Sequence, residues 1–451
     1  VSARTPTPWP LVALFTAGYL AAYLLPTTVG RLDAGLPLSA TQAGAVGSVL
    51  LLASASAGFL LLASASAGFL LASRVDRFGP RASARAGLLL AAAGYGTAAL
   101  SSALPLVVGG AIVGGFGSGT ATTVAATGIA GRSDPHRVTT LGLFAVSGLA
   151  GALYLTIPHL GPGHGHPLAA IACTALLALS LTGRLPARTP AAHAVRAGTP
   201  LPRRRSGLLL AGAMFFWSLA QNSLWGVSGR IGLTQAGLTE VEVGAVFAVA
   251  LGAGLLGTVG AGALGPRLGR ALPIGLGTAL IAGCIALSAA ATGLTSFAAG
   301  EIAWNAVYPV VLSYVIGLAV SMDPRGRWAV LVGSAASLGT ACGPLTGSVL
   351  SARAGYPAMG TVLAAGLLLV GVPMTFVALR ARHATQIVEV PAADLPAFET
   401  PAFETPAFET PAFEIPVVEV PLEGVPAQRS AYGTAGPLRT AVAPASGPVG
   451  A

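Results

Sequence analysis

The chain has 451 residues, 54% of them hydrophobic and only 9% charged. A soluble domain carries roughly 25% charged residues, so a water-soluble globule is excluded and most of this surface must face lipid. The net charge of +9 comes from 24 basic residues, all of them arginine; they sort by membrane side instead of forming one patch, so the charge does not imply a nucleic-acid partner.

Apolar runs long enough to cross a core of about 30 Å lie near 9–29, 41–73, 82–102, 105–130, 138–158 and 168–185. After an arginine-rich gap they resume near 207–228, 241–265, 271–292, 296–322, 329–352 and 357–379. The expected fold is all-α integral membrane, with twelve transmembrane helices in two pseudo-symmetric six-helix bundles. The bundles are residues 1–185 and 207–383, joined by an Arg-rich cytoplasmic linker at 186–206. The first run has no small-residue cleavage site and reads as a span, not a signal peptide. Cys173, Cys284 and Cys342 all fall in apolar runs, as packed thiols do.

The second run contains LLASASAGFL twice, at 51–60 and 61–70. With both copies it measures about 50 Å at 1.5 Å per residue, too long to cross straight. Slippage of a repetitive gene or a sequencing error is the plainer reading and a functional lengthening the alternative; the expected outcome is an overlong, kinked or protruding second helix. Beyond residue 384 the composition changes to a Pro-rich segment with a PAFET-type repeat starting at Pro396, Pro401, Pro406 and Pro411. Regular proline and low apolar content forbid a packed core, so 384–451 reads as a disordered, acidic cytoplasmic tail.

Orientation follows from arginine placement. With the N-terminus inside, nineteen arginines before the tail lie on inner segments and three, Arg31, Arg230 and Arg353, on outer links. Both termini are then cytoplasmic. The absence of lysine points to a GC-rich, actinobacterial-like genome and the bacterial inner membrane.

The loop 72–81 reads ASRVDRFGPR, and an altered echo, GALGPRLGR, occupies 262–270. Arg77 and Gly79 align with Arg267 and Gly269, each pair 190 positions apart, as in a duplicated bundle. The first copy resembles the signature G-x-x-x-D-R-x-G-R-R/K between helices 2 and 3 of the major facilitator superfamily. Asp76, Arg77, Gly79 and Arg81 match; Ala72 and Pro80 replace the leading Gly and an Arg. The resemblance covers residues 9 to about 383 and implies a secondary transporter, similar to drug and metabolite carriers, whose halves rock about a midplane site. It also implies a gating latch. A carboxylate can meet a helix N-terminus, and arginine can bridge carboxylates or carbonyls. In the second copy Pro266 replaces the Asp, leaving Arg267, Gly269 and Arg270, so the gating contact is expected on the first copy. Inside-positive charge alone is the plainer reading of these arginines.

In the fourth span, GGFGSGT at 114–120 has Ala111 where proton-coupled exporters of the family often carry Arg, which disfavours antiport by that route. The eleventh span carries Gly339, Gly343, Pro344 and Gly347 in the spacing G-x-x-x-G-P-x-x-G, resembling an exporter motif displaced from helix 5. Close helix packing and an export role both stay open.

Glu301 is the one acid clearly within a span, and such acids mark a pathway or a partner. Trp304, Asn305 and Tyr308 follow on its face. The seventh span adds Trp217, Gln221 and Trp225, with Asn222 beside them, and the first adds Phe15, Tyr19 and Tyr23. The resemblance places spans 1, 4, 7 and 10 around the cavity, so these are the candidate substrate or proton contacts. An aromatic stripe is equally compatible with packing. Thr120, Thr122 and Thr123 are weaker candidates. His159, His164 and His166 lack a nearby Cys or carboxylate and read as part of a glycine loop, with no metal.

No nucleophile triad, phosphate-cradling loop, paired-carboxylate site or ATPase signature is present, so neither an enzyme nor a cofactor is expected. The reading is a monomeric, gradient-driven carrier in the lipid bilayer. Its expected substrate is a small neutral, amphipathic or cationic organic molecule, with export ahead of uptake and protons the candidate coupling ion. The alternative is a transport-inactive sensor or scaffold acting through the tail.

Overall fold

In hydrocarbon every backbone polar group must be satisfied within its own segment, which favours helix. Accordingly the apolar runs are helical in the computed structural model, which describes residues 7–67, 79–186, 201–264, 268–323 and 325–386, all in one compact unit. There is no strand among the described residues.

The first span is broken. Helix α1 (Trp9–Tyr23) and α2 (Leu25–Gly35) meet at a 48° bend. Pro26 is the cause, since it has no N–H to give the carbonyl four residues back. Helix α3 (Ala40–Ala67) is continuous over 28 residues, about 42 Å at 1.5 Å per residue, and passes without a break from the first copy of LLASASAGFL into the second. The first half continues with α4 (Gly79–Leu100), α5 (Leu104–Ala130), α6 (Pro135–Thr156) and α7 (Gly165–Leu181).

The second half holds α8 (Arg204–Arg230), α9 (Glu240–Leu264), α10 (Ala271–Ala289), α11 (Leu294–Met322) and α12 (Arg327–Gln386). A π turn, Ile231–Gln235, extends α8. The last two spans are the limbs of α12, joined at Gly355, where φ is 78°. Among the described residues nine helices are long and apolar enough to cross a membrane, ten with the bent α1–α2 pair. Helix α4, with Arg81 and Arg85 in its first turns, is not among them.

The two halves begin their second spans alike. Ser39 and Gln42 form a reciprocal capping box at α3 (2.8 and 3.2 Å), and Thr239 and Glu242 form one at α9 (2.8 and 3.2 Å). Their third spans also start alike, at Gly79 (φ 65°) and Gly269 (φ 64°), in the left-handed conformation glycine tolerates. The offset between halves is 200 residues at the capping boxes and 190 at the glycines. The difference is one copy of LLASASAGFL.

Close approach of backbones builds the bundles. A Cβ on Gly117 would lie 2.3 Å from Ala91 N on α4, and one on Gly119 would lie 2.0 Å from Ser54 O on α3. Outward faces are apolar: Leu177, Leu256 and Leu369 are all more than two-thirds exposed, as lipid contact requires. All three cysteines are free, but only Cys284 is packed. Cys173 and Cys342 are exposed, because an apolar run in a lipid-facing helix has an outer face too. Across the halves, α2 packs on α8, α3 on α12 and α6 on α9.

Candidate functional site

The aromatic residues of spans 1, 7 and 10 converge. Trp217 stacks on Tyr308 (ring centroids 5.3 Å, interplanar 19°), Tyr308 meets Trp304 edge-on at 6.5 Å, and Trp304 meets Trp225 at 5.6 Å. The indole of Trp304 donates to Gln221 Oε1 at 2.9 Å, and Gln221 Nε2 returns to Trp217 O at 3.2 Å. Trp217 and Gln221 are fully buried, so they form the wall behind the site.

The more open positions belong to the tyrosines: Tyr19 is 39% exposed, and Tyr23 and Tyr308 are half-buried. Tyr308 comes from α11 and the other two from α1, so each half contributes to this group. Asn222 and Asn305 are half-buried. The first donates to Thr340 Oγ1 on α12 at 3.1 Å, the second to Glu301 O on its own helix at 2.9 Å. Thr120, Thr122 and Thr123 instead donate to the carbonyls four residues back on α5.

Glu301 is fully buried. Ser228 Oγ on α8 and Ser288 Oγ on α10 both donate to its Oε1, at 2.8 and 2.7 Å, and its Oε2 has no hydrogen-bond partner.

Among the described residues four polar contacts join the halves, all on the side opposite the arginine-rich loops. Arg31 Nη2 donates to Glu240 Oε2 at 2.6 Å, and Arg230 Nη1 pairs with Asp33 Oδ2 at 3.6 Å. Trp225 Nε1 donates to Ala22 O at 3.1 Å, and the backbone N–H of Leu345 donates to Ser48 Oγ at 2.9 Å. The sequence reading placed Arg31 and Arg230 on outer links. Both are buried within helices instead, because each has polar partners waiting. Arg31 also reaches Ile157 O, Gly161 O, Gly163 O and His166 Nδ1 at 2.8–3.2 Å. The loop of His159, His164 and His166 is therefore pinned, with His164 Nε2 at 3.0 Å from Ser101 O. No metal cluster occurs among the described residues. Only the alternation of charge (Arg31, Asp33, Arg230, Glu240) signalled this latch, and inside-positive counting hides it.

Of the repeated motif, Asp76, Arg77, Pro266 and Arg267 lie outside the described residues. The described members bond within their own halves. Arg81 donates to Leu185 O, through Nε at 2.9 Å, at the end of the sixth span, and Arg270 donates to Ser321 Oγ at 2.6 Å. Gly339, Gly343 and Gly347 lie where α12 meets α8, against Phe215, Asn222 and Ser223; Pro344 abuts Gly226 and Gly47.

No protein-family model matches the chain, and no curated protein matches it in sequence. Its fold is nevertheless that of known carriers. The human organic anion transporter MFSD10 (TETRAN) superposes with a TM-score of 0.59 at 17% identity, covering 82% of this chain and 100% of that one. A bacterial homolog of the human lysosomal transporter Spinster, in an inward-facing and unoccupied conformation, gives 0.58 at 14% identity, covering 83% and 94%. The chain thus has the major facilitator fold and is a multi-pass membrane protein.

Proposed function

We propose, from a major facilitator fold latched at one end, that the chain is a secondary transporter working by alternating access. The observation that carries this is the group of partly open tyrosines, Tyr19 and Tyr23 from one half and Tyr308 from the other, together with the four cross-half ties among the described residues. A site shared by two halves changes sides when they rock. The arginine bias supports cytoplasmic termini, with the cross-half ties on the outer side. Bacterial inner membrane and a monomeric state complete the reading.

The tyrosine group suits a small neutral, amphipathic or cationic organic molecule, held by tyrosine faces and the amides of Asn222 and Asn305. Arg31 and Arg230, the two buried arginines at the latch, are engaged by Glu240, Asp33 and Ser348. A strongly anionic solute would have to displace those partners. Export stays ahead of uptake.

The test is solute exchange. Proteoliposomes holding the full chain are loaded with a mixture of amphipathic amines and neutral aromatics, and retained solutes are quantified by mass spectrometry. At least one solute should leave in a protein-dependent manner, slowed at least tenfold by Tyr308→Ala and unaffected by deletion of 384–451. Exchange of none, or exchange indifferent to Tyr308→Ala, contradicts the carrier.

A further inference from the structure

We propose that His166 is a proton-operated release for the outer latch: a proton taken up from the outer side displaces Arg31 and loosens its tie to Glu240. This rests on the carrier reading above and on its orientation. Arg31 Nη2 donates to Glu240 Oε2 in the opposite half at 2.6 Å and to Ile157 O at 3.1 Å. Its Nη1 faces three acceptors of its own half: Gly161 O at 2.8 Å, Gly163 O at 3.2 Å and His166 Nδ1 at 3.0 Å.

The partner fixes the protonation state. Arginine has donors only, so the Nδ1 that faces it is a bare acceptor and the His166 ring is neutral, with its hydrogen on Nε2. When a proton from water forms an N–H bond at Nδ1, that acceptor is lost and the ring goes from neutral to +1. A second cation then stands at hydrogen-bond distance from the guanidinium. His164 supplies the contrast. Its Nε2 faces Ser101 O at 3.0 Å, and an N–H can meet a carbonyl whether the ring is neutral or charged. Of these two histidines, only His166 has a contact that protonation forbids.

Water reaches the ring, because His166 is only half-buried in the first turn of α7. The loop that carries it cannot simply back away. Gly161 is left-handed (φ 83°), a Cβ on Gly35 would lie 3.1 Å from His164 Cβ, and one on Gly165 would clash with Ala99 O. Arg31 has room instead, since it and Glu240 line one small cavity with Pro26, Gly30 and Tyr154. The sign follows from distance. In the latched state Glu240 holds the guanidinium against the charged ring, whereas in the open state the arginine is free to turn from it. The charged ring also attracts Glu240, but from beyond the guanidinium and toward a side chain 44% exposed to water, so the contact repulsion prevails. Acid on the outer side therefore favours opening.

Other titratable and charged groups on the surrounding elements have their own partners or point elsewhere. On α2, Asp33 pairs with Arg230, and on α9 Glu242 caps its own helix at Thr239. On α4, Arg81 and Arg85 bond Leu185 O and Thr182 Oγ1 just past the other end of α7, and Tyr95 accepts from Ser118 Oγ. Tyr154 on α6 donates to Tyr23 O. Tyr19 and Tyr23 on α1 are phenols, neutral over the range in which histidine titrates. His159 in the turn 157–160 and Cys173 on α7 are exposed.

Double electron–electron resonance on the full chain in nanodiscs tests this without any substrate. Labels at Ala34→Cys and Ala352→Cys, with the three native cysteines replaced, are compared at about pH 7.5 and about pH 5.5, on either side of the ordinary histidine value. The open-to-closed ratio at the latched end should rise about fivefold in acid, the weight of one hydrogen bond. His166→Asn puts an amide oxygen in place of Nδ1 and does not titrate, so it should stay latched at both pH values. His166→Lys carries the charge permanently and should show the acid population already at about pH 7.5. If His166→Lys does not fold, His166→Asn alone decides. No response in wild type, a latch that tightens in acid, or a response that survives His166→Asn overturns the proposal. Failure of solute exchange with the pH response intact counts against the carrier and leaves the proton release standing.

Discussion

The indole of Trp225 donates at 3.1 Å to the carbonyl of Ala22, across the boundary between the halves. That carbonyl is available because the residue four positions on is Pro26, which has no N–H to give it. A second tie also lies beside a proline: the N–H of Leu345, next to Pro344 on α12, donates to Ser48 Oγ at 2.9 Å. A proline thus accompanies each of these two backbone ties across the halves.

Trp225→Phe keeps the ring and removes the donor. It should cost the closed state about 1 kcal/mol, roughly fivefold in the closed-to-open ratio. Pro26→Ala should act in the same direction by giving Ala22 O an internal partner. Alkylation rates of a cysteine placed at Ser48 measure the opening; unchanged rates in both variants contradict the role given to this tie.

The two ion pairs should behave differently on mutation. Arg31 keeps four acceptors in its own half when Glu240 leaves, and Glu240 is 44% exposed. Glu240→Gln should therefore loosen the latch with little change in melting temperature, since half-exposed pairs contribute about 0–1 kcal/mol. Arg31→Ala strands the carbonyls of the 157–163 loop and should lower the melting temperature clearly. Equal melts for the two variants contradict the anchor role of Arg31.

Small residues at the α8–α12 seam are required by distance. A Cβ on Gly347 would lie 2.1 Å from Ser223 O, whereas one on Gly366 would meet nothing within 4 Å. Gly347→Val should destabilise by about 1–3 kcal/mol through overpacking, and Gly366→Ala should be tolerated. Thermal melts in detergent read both, and the expectation fails if Gly347→Val melts like wild type.

At the other end, Arg327 Nε donates to Asp323 Oδ2 at 2.6 Å and holds that carboxyl below its ordinary value, with the N–H of Arg325 assisting. A depressed folded-state value means the contribution is full above the unfolded carboxyl's range, near pH ~4, and is lost as pH falls through the folded value. Asp323→Asn should therefore cost most at neutral pH, and its gap to wild type should close in acid. A gap that is constant with pH argues against the pairing.

The spans and the duplication were legible because hydrophobic length and inside-positive charge are local signals. The convergence of Trp217, Trp304 and Tyr308 was accessible through helical spacing and the family resemblance. Which of them stay open was not, since spacing fixes a face of one helix and not what packs against it. Gln221 is wall, while Tyr19 is open. Ser228 and Ser288 carried no signal, since isolated serines in apolar helices usually bond their own backbone. The latch was missed because Arg31 and Arg230 were counted by side, and their partners are about 200 residues away in sequence. The ten-residue change in offset between the capping boxes and the paired glycines puts the extra copy of LLASASAGFL in the first half.

Alternating access about the outer latch is tested most directly by paired spin-label distances. With Cys173, Cys284 and Cys342 replaced, one label pair sits at Ala34→Cys and Ala352→Cys on the latched end. The other sits at Ala130→Cys and Val320→Cys on the opposite end. Double electron–electron resonance in nanodiscs then compares wild type with the Trp225→Phe, Glu240→Gln double variant. The account predicts a new longer component at the latched end together with a new shorter component at the other. Unchanged distances at both ends, or lengthening at both, would contradict it.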